Sequence, residues 1–90
     1  NGYLEATILV NPKGKMHQKP ILSFKGLPIE KTEEFTYGLE EKIVDVAKTF
    51  SLNSKKQEIN LIDALKTACR KYSKEKTGKR PYTNINLIKI

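Results

Sequence analysis

Two segments of this chain repeat their apolar residues at helical spacing, and this pattern constrains the fold more than any other feature of the sequence. The first segment runs from about Glu33 to Phe50 and the second from about Asn60 to Lys76. In each segment the apolar side chains fall on one side of a helix, so each helix must bury that stripe against another element. The first stripe is Phe35, Leu39, Ile43, Val46, Ala47 and Phe50, and the second is Leu61, Ile62, Leu65, Ala68, Cys69 and Tyr72.

Alternating segments on either side of the helices predict the strands that these stripes cover. From Tyr3 to Val10 every even-numbered residue is apolar, as in a half-buried strand. Residues 11–14 read Asn-Pro-Lys-Gly, which is the signature of a type I turn. A second strand from Gln18 to Phe24 would complete a hairpin. A last strand is predicted from Tyr82 to Ile90.

The predicted fold class is therefore α+β, with the order β-β-α-α-β and a three-stranded sheet covered on one face by two helices. The sequence leaves open which edge of the hairpin the last strand joins. Thr32 is the predicted N-cap of the first helix, residues 51–57 are the predicted connector, and Gly78 is expected to end the second helix. The 90 residues are expected to form one domain, 1–90.

Composition narrows the class of protein further. Hydrophobic residues make up 38% of the chain and charged residues 30%, which fits a globular domain and is too apolar for a disordered one. The longest aliphatic run, residues 8–10, is far too short to cross a membrane. The chain begins with Asn1 instead of Met, so we expect a fragment excised from a larger protein. Cys69 stands alone and cannot form an internal disulfide, which favours a cytoplasmic location.

The positive charge is confined to one part of the chain. Residues 1–50 are neutral, and the whole net charge of +7 lies in residues 51–90. A one-sided basic surface favours anionic partners, of which nucleic acid is the first candidate. Two other interpretations stay open: a solvated surface that only maintains solubility, and docking on an acidic surface of the larger protein. The predicted RNA- or anion-contacting residues are Lys66, Arg70, Lys74, Lys76, Lys79 and Arg80.

No arrangement of residues in the sequence predicts catalysis. A hydrolytic metal site needs several converging ligands, whereas His17 is the one histidine and Cys69 the one cysteine. Cys69 falls on the apolar stripe of the second helix, where a buried side chain is expected. Sheets that bind RNA carry aromatic residues within a glycine-aromatic motif, and that motif is absent here although Tyr3 and Phe24 lie on strands. We therefore predict no catalytic residue and no cofactor in this chain.

Residues 64–81 form the end of the second predicted helix and the approach to the last strand, and residues 75–81 read Glu-Lys-Thr-Gly-Lys-Arg-Pro. This segment resembles the end of bacterial ribonuclease J, where the family has a helix, a Glu-Lys-Thr-x-Arg/Lys-Arg-Pro element and a hydrophobic strand. The resemblance spans essentially the whole chain and is most specific at residues 75–81. Residues 21–27, Ile-Leu-Ser-Phe-Lys-Gly-Leu, are similar to the family's Ser-Arg-Gly-Phe element. Residues 82–86 depart from the family because they are more polar than its usual Met-Ile-Leu-Pro run.

The resemblance implies a function that the chain would serve as part of a larger enzyme. The parent would be a β-CASP metallo-β-lactamase-type ribonuclease with endonuclease and 5′-to-3′ exonuclease activity, and its zinc ligands would lie upstream of this chain. This chain would be the non-catalytic C-terminal domain, which supports assembly of a homo-oligomer and full activity. Tyr37 and Val44 lie off the apolar stripe of the first helix and are the predicted interface residues. The alternative function is a basic module that contacts RNA phosphates without reading sequence.

Overall fold

The computed structural model describes residues 2–90 and contains three strands and two helices in the predicted order. The α+β class and the β-β-α-α-β order are therefore confirmed. The elements are β1 (Tyr3–Val10), β2 (Ile21–Lys25), α1 (Thr32–Ala47), α2 (Lys55–Thr77) and β3 (Tyr82–Lys89).

The first strand of the chain is the central strand of the sheet, whose strand order is β2-β1-β3. β1 runs antiparallel to β2 and parallel to β3, so the sheet is mixed. Tyr3 lies opposite Lys25 on one side and opposite Tyr82 on the other. The last strand thus joins the β1 edge of the hairpin, which the sequence had left open.

Both helices pack on one face of this sheet, as predicted. The even-numbered residues of β1 are almost completely buried, and they belong to the same core cluster as the predicted stripes of α1 and α2, from which only Ala68 is missing among residues 2–90. Because β1 is central, its apolar face lies beneath both helices. The buried apolar residues are Leu4, Ala6, Ile8, Val10, Phe35, Leu39, Ile43, Leu61, Leu65, Cys69, Tyr72 and Ile85, while Val46, Ala47, Phe50 and Ile62 are partly buried against them.

One buried hydrogen bond joins the two helices. The Tyr72 hydroxyl donates to the backbone oxygen of Phe35 over 3.0 Å. Burial, assisted by the carboxylate of Glu41, raises the pKa of the Tyr72 phenol, so the hydroxyl keeps the proton that it donates. Gly38 faces this hydroxyl, and a Cβ atom at Gly38 would overlap it. A glycine in the middle of α1 therefore allows the two helices to approach closely.

The hairpin differs from the prediction in the start of its second strand. The predicted turn is present: the Asn11 side chain accepts from the backbone N–H groups of Lys13 and Lys15, and Gly14 has a φ of +80°. β2, however, begins at Ile21 and not at Gln18. Pro20, which precedes it, has no N–H to donate to the sheet.

The boundaries of α1 also differ from the prediction. Thr32 is the first residue of the helix and not its N-cap; the N-cap is Lys31, whose side chain makes no capping hydrogen bond. The helix ends at Ala47, three residues before Phe50. The backbone N–H groups of Thr49 and Phe50 bond to carbonyls three residues earlier, so the last predicted residues form tight turns instead of a further α-helical turn.

The second helix is longer than predicted. It begins at Lys55 and not near Asn60, because the Ser54 side chain caps it by accepting from the backbone N–H of Gln57 over 3.2 Å. The predicted connector is therefore shorter. As predicted, the helix ends at Gly78, which has a φ of +79° and donates its N–H to the Lys74 oxygen. Within residues 2–90, neither helix is long and apolar enough to span a bilayer.

Candidate functional site

The helices leave one face of the sheet uncovered, and we call this surface the open sheet face. It consists of the strand residues whose side chains alternate with those of the core. Glu5 and Lys25 are its only charged residues within residues 2–90, so the face is close to neutral although the chain carries +7. The open sheet face comprises Tyr3, Glu5, Thr7 and Leu9 of β1, Ile21, Ser23 and Lys25 of β2, and Tyr82, Asn84, Asn86 and Ile88 of β3.

Two stacked tyrosines form one end of the open sheet face, which we call the tyrosine end. Tyr3 and Tyr82 are partners on neighbouring parallel strands, and their ring centroids are 5.9 Å apart with an interplanar angle of 15°. Tyr82 is 71% exposed, although one side of its ring lies against Tyr3. Lys25 lies opposite Tyr3 on β2. The pair is therefore an aromatic surface that remains largely open to solvent.

A hydrogen-bonded polar cluster lies in the middle of the open sheet face. Glu5 Oε2 accepts from the side-chain amides of Asn84 and Asn86, both over 3.0 Å. Asn86 also donates to the Thr7 hydroxyl over 3.2 Å. The hydrogen bonds from Asn86 and Asn84 lower the pKa of the Glu5 carboxyl below its usual range. These contacts hold an ionised carboxylate in a defined position beside the tyrosine end.

Aliphatic side chains form the opposite end of the open sheet face, which we call the isoleucine end. Ile21 is 52% exposed and Ile88 is 45% exposed, with the half-buried Leu9 between their strands. Ile90 is 54% exposed, and its N–H donates to Val10, which continues the pairing of the last strand. The alternation of β3 places Ile90 on the same side as Ile88. Three of the six large hydrophobic residues exposed in residues 2–90 thus lie at this end of the sheet.

The six predicted basic residues lie along α2 and in the segment that follows it. Lys66 is half-buried and Arg70 is exposed, and neither makes a salt bridge within residues 2–90. Lys74 donates to the Gly78 carbonyl over 3.2 Å, and the Lys76 ammonium lies 5.7 Å from the Tyr72 ring. Both lysines lie in the last turn of α2, where the helix dipole favours positive charge. The remaining two, Lys79 and Arg80, are exposed and also outside any described salt bridge.

Charge is segregated between the two helices. α1 contains five acidic residues and one lysine, whereas α2 contains seven basic and three acidic residues. The predicted basic residues of α2, Lys66, Arg70, Lys74 and Lys76, form what we call the basic surface of α2. It continues through Lys79 and Arg80 to Tyr82, the first residue of β3. Burial alternates from Arg80 to Ile85, which places Arg80 and Tyr82 on the same side of the chain. The basic surface and the tyrosine end therefore meet at one end of the molecule.

The two predicted interface residues on α1 occupy different surroundings. Val44 is half-buried and lines a groove of about 720 Å³ between the hairpin turn and the connector that follows α1. Tyr37 is 60% exposed and is not among the residues that line this groove. Tyr37 and Val44 therefore lie at separate positions on α1 and do not form one surface.

The residues considered for catalysis lie apart from these surfaces. Cys69 is completely buried, and burial raises the pKa of its thiol to about 12, which suppresses formation of a nucleophilic thiolate. His17 is exposed after the hairpin turn. Among residues 2–90, no three His, Cys, Asp or Glu side chains are grouped closely enough to hold a metal ion.

The chain has no match in the two comparisons with known proteins. No protein-family model matches it, and a search of curated proteins finds no match for its sequence. Function is therefore inferred from the chain's own residues.

Tyr82 is a residue of the open sheet face that was not predicted from the sequence as a functional residue. Its alternation with buried neighbours was a usable signal, but its stacking on Tyr3 depends on the strand order.

Proposed function

We propose that this chain is the non-catalytic C-terminal domain of a ribonuclease J-like RNA-processing enzyme, and that it supports oligomer assembly and full activity of a zinc-dependent nuclease core. The observation that carries the assembly role is the isoleucine end of the open sheet face. Ile21, Ile88 and Ile90 are each about half exposed on one uncovered face. Clustered aliphatic side chains of this kind mark surfaces that are buried against a partner.

The size of the exposed side chains supports burial of this face against a partner. Burial of the exposed half of each isoleucine side chain would contribute roughly 1 kcal/mol. Several such side chains on each partner, together with Leu9, would supply the apolar centre of a modest interface.

A second copy of this chain is the partner that we propose for the isoleucine end. Two domains that each carry +7 repel one another, but the open sheet face itself contains only Glu5 and Lys25 as charged groups. Contact through this face would keep the basic surface of α2 away from its counterpart. A dimer with two-fold symmetry buries the same patch on both subunits, so one neutral apolar end on each chain is enough to form the interface.

The sequence element at residues 75–81 supports the assignment to a ribonuclease J-like parent. In the structure these residues comprise the end of α2, its Gly78 cap and the approach to β3. Under this proposal the parent is cytoplasmic, its catalytic zinc is held by upstream residues, and its substrate is RNA. Tyr37 and Val44 remain proposed interface residues for assembly, at two separate positions on α1.

The open reading frame that encodes this chain tests the parent assignment. We expect a His-x-His-x-Asp-His pattern upstream, because metallo-β-lactamase-type nucleases hold zinc with these side chains. An open reading frame without that pattern would contradict the assignment to this family, whatever the oligomeric state of the domain.

Sedimentation of the 90-residue chain over a concentration series tests the proposed contact. Ile88→Lys should weaken self-association, because it places a cation in the apolar centre of the interface. Ile59→Lys is the matched control, since Ile59 is 51% exposed but lies on α2. Equal self-association of the wild-type protein and both variants would show that the isoleucine end is not the interface.

A second candidate function, contact with RNA phosphates, is favoured by the unpaired cations of the basic surface. Lys66, Arg70, Lys79 and Arg80 have no described salt-bridge partner. Affinity for RNA should fall steeply with salt as counterions are released. Titration of a labelled RNA with an Arg70→Gln/Lys74→Gln variant tests this candidate, and an unchanged affinity would count against it.

A further inference from the structure

The tyrosine end is not explained by assembly through the isoleucine end, which lies at the other end of the same strands. Tyr82 is the most exposed large hydrophobic residue within residues 2–90, at 71%. It is nevertheless ordered by its stack on Tyr3, with ring centroids 5.9 Å apart. β3 is an edge strand, so no neighbouring strand covers the other side of Tyr82. An exposed, preorganised aromatic ring of this kind is suited to stacking with a planar ligand.

Positive charge surrounds the tyrosine end on several sides. Lys25 is the partner of Tyr3 on the neighbouring strand β2, and Arg80 lies on the same side of the chain as Tyr82, two residues before it. Lys79 is also exposed in this segment. The basic surface of α2 leads directly to this point. A ligand that stacks on Tyr82 would therefore lie beside cations, which favours a planar group attached to phosphates.

We propose that the tyrosine end binds single-stranded RNA, with a base stacked on Tyr82 as a third ring on the Tyr3–Tyr82 pair. Arg80 contacts a phosphate next to this base, and Lys25 contacts a phosphate further along the RNA, beyond Tyr3. In the other direction the RNA continues along the basic surface of α2 towards Arg70. Bases in a duplex are stacked on one another and are not free to stack on a tyrosine ring. The site therefore selects single strands.

Glu5 favours ribose over deoxyribose at this position. Both asparagine amides donate to Glu5 Oε2, and no side-chain donor within residues 2–90 bonds to Oε1. This carboxylate oxygen repels phosphate but can accept a hydrogen bond from a ribose 2′-hydroxyl, the group that distinguishes RNA from DNA. Because Glu5 precedes Thr7 and follows Tyr3 on the same face of β1, it lies beside the stacked rings.

This inference deepens the second candidate function, phosphate contact with RNA, and is independent of assembly. Phosphate contact alone predicts binding of any polyanion, whereas stacking on Tyr82 adds a requirement for unpaired bases. The two ideas therefore fail separately. Loss of binding in the Arg70→Gln/Lys74→Gln variant tests phosphate contact, and substitution of Tyr82 tests stacking.

Fluorescence anisotropy with a labelled 12-nucleotide polyuridylate at low salt provides the test. Tyr82→Ala should weaken binding by about five- to 150-fold, the range expected when one stacked base is lost. Tyr82→Phe keeps the ring and should bind within about two-fold of the wild-type protein. Tyr82→Leu keeps an apolar side chain in β3 without the ring and should bind as weakly as Tyr82→Ala.

Three controls separate stacking from less specific effects. Tyr37→Ala removes an exposed tyrosine from the acidic helix α1 and should leave affinity unchanged. A Lys25→Gln/Arg80→Gln variant should lower the magnitude of the salt dependence by about 1.4, as expected for two lost contacts with a single strand. A 12-nucleotide deoxyuridylate should bind several-fold more weakly than polyuridylate, and a 12-base-pair RNA duplex more weakly still.

Particular results would overturn the proposal. Equal RNA affinity of wild-type protein, Tyr82→Ala and Tyr82→Leu would exclude stacking on Tyr82, provided that thermal unfolding shows all three to be folded. Duplex RNA that binds as tightly as polyuridylate would exclude selection of single strands. Deoxyuridylate that binds equally well would exclude recognition of ribose. Loss of self-association in Tyr82→Ala without loss of RNA affinity would assign the tyrosines to a protein interface instead.

Discussion

Gly38 shows how one residue controls the packing of the two helices. Alanine is a better helix former than glycine by about 1 kcal/mol, yet a Cβ here would overlap the Tyr72 hydroxyl that bonds to Phe35. We expect Gly38→Ala to lower the free energy of unfolding by about 1–2 kcal/mol, because overpacking outweighs the gain in propensity. Urea denaturation measures the change. In a Tyr72→Phe background, which lacks the hydroxyl, the same substitution should cost less, and a stabilising Gly38→Ala would contradict the close contact.

Cys69 predicts how stability changes at high pH. In the folded protein burial raises the pKa of its thiol from 9.0 to about 12, whereas in the unfolded chain the thiol ionises near its ordinary value. Between these values the unfolded state binds fewer protons, so the free energy of unfolding falls as pH rises, by at most about 1.4 kcal/mol per pH unit. Below pH 9 this contribution is fully present.

A Cys69→Ala variant isolates the contribution of the thiol. Its free energy of unfolding should be lower at neutral pH because of the cavity, but should decline less steeply than that of the wild-type protein between pH 9 and pH 12. Lysines and tyrosines titrate in both proteins, so the difference between the two slopes belongs to Cys69. Parallel slopes would show that the folded thiol ionises normally.

At the scale of elements, the start of α2 depends on its cap. Ser54 accepts from the Gln57 backbone N–H, and its loss in Ser54→Ala should destabilise the protein by about 1 kcal/mol in chemical denaturation. Ser51 is the matched control, because it is exposed in the same connector and its side chain makes no described hydrogen bond. If Ser54→Ala and Ser51→Ala have equal stability, the cap does not determine where α2 begins.

The elements that sequence periodicity predicts best are those that bury one continuous face. The β1 alternation and most of both helical stripes were predicted correctly because burial imposes their period, although Ala68 is outside the core cluster and Phe50 lies beyond the end of α1. Residues 55–58 are Lys-Lys-Gln-Glu and have no apolar period, so the first turn of α2 was assigned to the connector. The cap at Ser54, and not hydrophobic burial, determines that boundary. The late start of β2 at Ile21 likewise has a local cause, since Pro20 precedes it and has no N–H to donate.

At the scale of the whole molecule, the open sheet face was only partly predictable. Glu5 and its partner Asn84 are separated by 79 residues, and Tyr3 and Tyr82 are equally distant in sequence. Their meeting depends on the parallel pairing of β3 with β1, which side-chain alternation cannot specify. The basic surface was predictable because its residues are close together in the sequence. The neutrality of the open sheet face required the strand order.

The central claim is that this domain assembles a larger nuclease through the isoleucine end. Sedimentation velocity of the intact parent enzyme, alongside an Ile21→Lys/Ile88→Lys variant and an Ile59→Lys control, tests it most directly. We predict that the double variant sediments as a smaller species and degrades RNA more slowly, whereas the control retains the wild-type oligomer and rate. A double variant with the wild-type oligomeric state and nuclease rate would contradict the proposed role.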